Sequence, residues 1–219
     1  MNRGKAAYPA FGLALLMGAG AVSSAAAHPH VFAEARLEVA VRPDGRVERL
    51  RHVWRFDEFF SSTVLLEFDD DTDLILDESE RDTVADVVSE SIAEFGYFQR
   101  IDVGGRDIPV RPVKDMKVIF QDGQMILFFT SEPAEPIAVT DQPVFNVYDP
   151  TFYTAIEFYS EDEMVLEGAP SNCAATMIVP DPDEAIAQNQ QSLTEAFFND
   201  PAGNDLSKLL ATRMEISCR

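Results

Sequence analysis

Histidine is scarce in this chain and aspartate is crowded, and both extremes fall in short stretches. His28 and His30 stand one proline apart in "SSAAAHPHVF", residues 23–32, and His52 is the only other histidine among 219 residues. Imidazole suits zinc, nickel and copper. Cleavage after Ala27 would make His28 the first residue, so its α-amine and ring nitrogen could share one ion with the His30 ring. Two imidazoles hold a metal only modestly, so a third ligand is needed, and His52 is the first candidate. Asp149, in "YDP", is a candidate carboxylate ligand, with a turn role before Pro150 as the simpler reading. A square-planar amino-terminal copper or nickel site is excluded. It requires a deprotonated amide at the second residue, which here is Pro29. The plain alternative is that the two histidines only lead into the first strand.

The second chemical stretch is "DDDTDLILDESE", residues 69–80. Laid on the EF-hand template, Asp69, Asp71, Asp73, Asp77 and Glu80 fall on side-chain ligand positions. Ile75 falls on the position that ligates through its carbonyl. Leu76 takes the aliphatic eighth position. The sixth position should be a glycine at positive φ, and here it is Leu74, at a cost of about 1 kcal/mol or more. Calcium binding is therefore expected to be weak or absent. Asp77 and Glu80 also spell a D-x-x-E capping box for a following helix, which explains the same acids without any ion.

Strand alternation over 31–41 and 47–56, around Pro43-Asp44-Gly45, predicts a β-hairpin that carries His52 on its second strand, opposite the region of Arg36. Val47 and Leu50 conflict with strict alternation, so a bulge is expected. "DEFFSSTVLLEF" predicts a short helix. Val84, Val87, Val88, Ile92 and Phe95 mark one face of an amphipathic helix near 78–95. The acidic loop thus lies within a helix–loop–helix at about 57–98. Further strands are expected at 107–110, 115–121, 124–131, 143–148, 153–159, 173–179 and 211–217, with a helix near 183–198. The fold class is α+β: mostly antiparallel β, sandwich-like, with an EF-hand-like helical insertion and a C-terminal helix.

Residues 1–27 have the make-up of a signal peptide: Arg3 and Lys5, the apolar run 11–22, and Ala25-Ala26-Ala27. The run is too short to span a bilayer. The remainder, 28–219, is expected to be a single periplasmic domain. Its removal of two basic residues leaves 15 basic against 38 acidic residues, a net charge of −23. Such an excess repels nucleic acid and anionic lipid and concentrates cations. In an oxidising compartment Cys173 and Cys218 are expected to form a disulfide. A two-thiolate metal site is disfavoured by the absence of C-x-x-C spacing.

"HPHVF", "WRFDEFFS", "VYDPTFY" at 147–153, "EGAPSNC" at 167–173 and the closing "SC" carry a family likeness. The chain resembles a domain-of-unknown-function family described as an uncharacterised ABC-type transport system, periplasmic component. Its members carry D-x-D-x-D-G-x-L-x-x-x-E where this chain reads "DDDTDLILDESE". The resemblance implies a periplasmic partner of a NicO-type nickel/cobalt/zinc permease in the inner membrane. It also implies zinc or nickel/cobalt handling, with His28 and His30 in the matching motif. It does not imply the two-lobed α/β binding fold, since no alternating βα pattern is present. No nucleophile–base order is recognisable, so a non-enzymatic role is expected. Two rivals stand beside it: a copper enzyme built on the N-terminal histidines, and an adaptor with a vestigial calcium loop.

Overall fold

A computed structural model describes residues 29–190 and 204–219. The leader, His28 and the second half of the helix expected at 183–198 lie outside the described residues.

Strands β1 (Val31–Val41) and β2 (Val47–Phe56) pair as the expected antiparallel hairpin. The ladder shifts register between Ala40 and Val41, which is the expected bulge. Val31, Ala33, Ala35, Leu37 and Val39 face inward from β1, and Leu50, His52, Trp54 and Phe56 from β2. The alternation conflict thus resolves with Leu50 inward and Arg51 half-buried on the other face. His52 pairs with Leu37, one position along from Arg36.

Helices α1 (Glu58–Phe68) and α2 (Glu78–Ala93) follow directly. On α2, Val84 and Ile92 are buried and Val88 is half-buried, whereas Val87 and the trailing Phe95 are exposed. The apolar face is therefore narrower than the spacing predicted. Next come β3 (Gln99–Val103), β4 (Arg106–Ile108), β5 (Lys117–Gln121) and β6 (Gln124–Ser131). The β5–β6 turn is Asp122-Gly123, both at positive φ, as a two-residue hairpin turn with matching twist demands. Strands β7 (Val144–Val147), β8 (Thr154–Glu157), β9 (Met164–Glu167) and β10 (Cys173–Ile178) lead to α3 (Pro182–Gln188), α4 (Asn204–Leu210) and β11 (Arg213–Cys218).

One sheet runs β5-β6-β2-β1, with β8 and β9 both parallel to β1 at successive stretches of its far edge. The other runs β10-β11-β7-β3-β4, antiparallel throughout. Their inner faces share one core with Trp54, Met125, Leu127 and Phe129 from the first sheet and Ile101, Phe145, Met214 and Ile216 from the second. Strands β3 and β9 and the parallel pairing were not anticipated: Gln99–Val103 is short and mixed in polarity, and β9 is only four residues long. Among the described residues no helix is long and apolar enough to cross a membrane.

Candidate functional site

Asp57 sets the entry to the helix–loop–helix. One carboxylate oxygen accepts the Phe60 N–H at 2.9 Å and caps α1; the other accepts the Phe32 N–H of β1 at 3.0 Å. The "WRFDEFFS" and "HPHVF" stretches are thereby joined. At the far end of α1 the Asp69 N–H returns to the Leu65 carbonyl, and the acidic loop begins.

Short carboxylates bond readily to nearby backbone amides, and this loop is built that way. Asp69 accepts from Asp73 N–H at 3.2 Å and Leu74 N–H at 2.8 Å, and Asp71 accepts from Asp73 N–H at 3.2 Å. Asp73 accepts from Ile75 N–H at 2.8 Å. Thr72 and Leu74 both take φ of 63°, so Leu74 does adopt the left-handed turn that its position demands. Leu76 is buried and anchors the loop in the core, while the Leu74 and Ile75 side chains point outward, 62% and 66% exposed.

The result gathers three carboxylates. Carboxylate oxygens of Asp69, Asp71 and Asp73 lie within 4.8 Å of one another, the one such cluster among the described residues. The Asp71 carboxyl sits above its usual range. The Asp73 N–H bound to it acts to lower it, but desolvation and the neighbouring Asp73, Asp69 and Glu80 groups together raise it. Asp77 and Glu80 are held differently. Asp77 accepts the Glu80 N–H at 3.0 Å and Glu80 accepts the Asp77 N–H at 2.8 Å, a complete capping box for α2. The second Glu80 oxygen accepts the Asp70 N–H at 2.8 Å. Three of the five acids on the ligand positions converge, while Asp77 and Glu80 cap α2 and do not join that cluster.

The histidines are separated. His28 lies outside the described residues. His30 is exposed at the leading end of β1, with its N–H on the Tyr153 carbonyl at 2.9 Å and its ring 5.0 Å from the Tyr153 ring. His52 is buried in the core, opposite a β1 residue seven positions further on, about 20 Å away along the strand. Its Nε2 lies 2.8 Å from the Gln99 Oε1, and its ring stacks on Phe129 at 4.5 Å. Gln99 Oε1 also accepts the Ser131 hydroxyl at 2.5 Å. Burial pushes His52 down to about 3, against the raising effect of the Gln99 bond. The structure therefore does not bring His52 to His30: the pleat turns its ring into the core.

Gln99 reaches His52 because three successive left-handed residues, Gly96, Tyr97 and Phe98, turn the chain sharply from α2 into β3. Nothing in the sequence marks Gln99 as the partner, since 47 residues and a change of sheet separate the pair.

Asp149 has the turn role. It accepts the Thr151 N–H and hydroxyl, each at 2.7 Å, and the Thr154 N–H at 2.9 Å. Cys173 and Cys218 are disulfide-bonded, facing each other across β10 and β11 with Cα atoms 4.0 Å apart.

A Haemophilus influenzae protein described as uncharacterized is 25% identical over 196 residues, spanning 88% of this chain and 91% of that one. The same whole-chain extent appears at the level of families. A model described as protein of unknown function (DUF1007) matches residues 13–218, and the chain belongs to that family.

Proposed function

We propose that this is an exported, divalent-cation-binding accessory protein, without catalysis of its own, that serves a membrane metal permease. The single observation that supports the cation reading best is the convergence of Asp69, Asp71 and Asp73 within 4.8 Å of one another in a loop between two helices. Three carboxylates form a hard-oxygen set, which suits calcium, magnesium or manganese rather than zinc or nickel. Affinity is expected to be weak. Each Glu80 oxygen already accepts a backbone N–H, so this acid must leave its cap before it can ligate.

A second reading is favoured by the position of His30. Its exposed ring at the leading end of β1, beside Tyr153, leaves the His28-Pro29-His30 stretch as the proposed ligand for zinc or nickel/cobalt.

Calorimetric titration separates the two sites. Calcium should bind the wild type and lose about tenfold or more in affinity in Asp71→Asn/Asp73→Asn, whose exposed side chains can change without disturbing the core. Zinc should follow His28→Ala/His30→Ala instead. Equal calcium affinity in wild type and the double Asn variant would leave the loop as a helix cap alone.

A further inference from the structure

The helix–loop–helix is both the most acidic part of the molecule and the part that leaves most apolar side chains in water. Residues 57–94 hold 14 of the 38 acidic residues and one base, Arg81. Of the large apolar side chains exposed among the described residues, Phe59, Leu66, Leu74, Ile75 and Val87 lie on it, and Phe95 follows directly. Phe59 and Leu66, 79% and 70% exposed, are two turns apart on one face of α1. Isolated exposed apolar residues are ordinary; neighbours such as Leu74 and Ile75 that line a groove are not.

Such a groove opens next to the acidic loop. It encloses about 390 Å³ and is lined by Leu65, Leu74, Ile75, Leu76, Ile119 and Phe120. Arg81, also in its wall, is turned back onto the Leu76 carbonyl. Leu74 is the informative residue. It carries the strain of a left-handed backbone and also exposes its side chain, so glycine or asparagine would fold more easily there. Its side chain adds little to the folded core. Strain of this kind is kept where function over-determines it, and at an exposed apolar residue it points outward, to a surface that binds there.

We infer that this groove docks a cationic amphipathic segment of another protein: an aliphatic or aromatic side chain entering between Leu74, Ile75 and Ile119, with Lys or Arg on either side meeting Asp70, Asp71, Asp73 and Asp77. Charge complementarity selects this occupant. A net charge of −13 over 38 residues repels an anionic bilayer and a second copy of the same face, and attracts a basic peptide. The inference stands on exposure, strain and charge; because Asp71 and Asp73 are shared with the cation reading, the peptide titrations are run with EDTA and no added calcium.

Two synthetic peptides of identical Lys/Leu composition test it, one with its leucines on a single helical face and one scrambled. Calorimetry with the wild-type protein should show the amphipathic peptide binding at least about tenfold more tightly than the scrambled one. That preference should vanish in Leu74→Asn/Ile75→Ser, while both peptides keep their salt-sensitive background. Asparagine tolerates the left-handed turn, and an unchanged circular dichroism spectrum checks the fold. Equal affinity for the two peptides, or a preference that survives the double variant, overturns the inference. So does stronger, Leu74-dependent binding to phosphatidylglycerol vesicles, which would make the face a membrane anchor.

Discussion

In the β sandwich, buried polar side chains meet one another, His52 with Gln99 and Gln99 with Ser131, though His52 Nδ1, Gln99 Nε2 and Trp54 Nε1 have no hydrogen-bond partner among the described residues. In the helix–loop–helix, apolar side chains that could go inside stay out, and like charges are crowded together. Outside residues 57–94 the chain holds 24 acids and 16 bases, close to an ordinary balance. Inside them the balance is 14 to one. The sandwich has left-handed residues of its own, Tyr97, Phe98, Gln142 and Phe152, but none pairs that backbone with an exposed apolar side chain as Leu74 does. The helix–loop–helix carries features that lower stability, namely a strained Leu74, clustered carboxylates and exposed leucine and phenylalanine, and such features are kept where binding uses them. The proposed cation site falls in that second region, and the proposed docking groove lies between it and β5.

The contrast can be broken by perturbing each side. The largest effect belongs to the sandwich. Reducing Cys173–Cys218 should lower unfolding free energy by about 4 kcal/mol on the chain-entropy estimate for a loop of 45 residues. Denaturant titration with and without reductant measures it, and calcium binding should be untouched while the fold persists.

Acid comes next, and the two regions should answer it with opposite signs. His52 has a folded value of about 3 against 6.5 when unfolded. The unfolded chain therefore binds the proton first, so stability is complete above about pH 6.5 and declines toward pH 3. The loss is about 3 kcal/mol by pH 4. Asp71 is raised in the fold, so its crowding is relieved as pH falls through the carboxylate range. Urea midpoints between pH 7 and 4 should drop in the wild type. Asp71→Asn should improve stability near neutrality and gain least in acid. A wild type equally stable at pH 7 and pH 4 would remove His52 from the account.

Gly168 is third. It lies at φ 73°, and a Cβ there would sit 2.6 Å from the Val41 carbonyl oxygen. Gly168→Ala should cost about 2 kcal/mol or more, because both the turn and the β1 backbone resist it. The smallest effect belongs to the loop: Leu74→Gly should change stability by no more than about 1 kcal/mol in either direction. It should also tighten calcium binding, since the left-handed turn no longer carries a Cβ penalty. A large stability loss there, read from thermal melts, would show that Leu74 serves the fold after all.

The local features of both regions were legible in the sequence. Alternation and the Pro43-Asp44-Gly45 turn place β1 and β2, the D-x-x-E spacing places the α2 cap, and cysteine count pairs Cys173 with Cys218. What was hidden depends on distant contacts. The parallel pairing of β8 and β9 with β1 leaves no periodic mark, because each is four residues long. The separation of His52 from His30 follows from the length of β1 and the inward turn of the pleat, neither of which the histidine spacing encodes. The groove beside the loop needs β5 to be placed next to α2, so no local pattern around Leu74 announces it.

The account's central claim is that calcium binding resides in the helix–loop–helix and not in the sandwich. Amide ¹⁵N–¹H spectra recorded during a calcium titration test this most directly. The prediction is that shifts centre on residues 69–80, led by the amides of Asp73, Leu74 and Ile75 that the carboxylates now hold, while His52, Gln99 and the Trp54 indole stay still. Shifts that centre on His52 and Trp54, or a spectrum that calcium leaves unchanged at millimolar concentration, would contradict it.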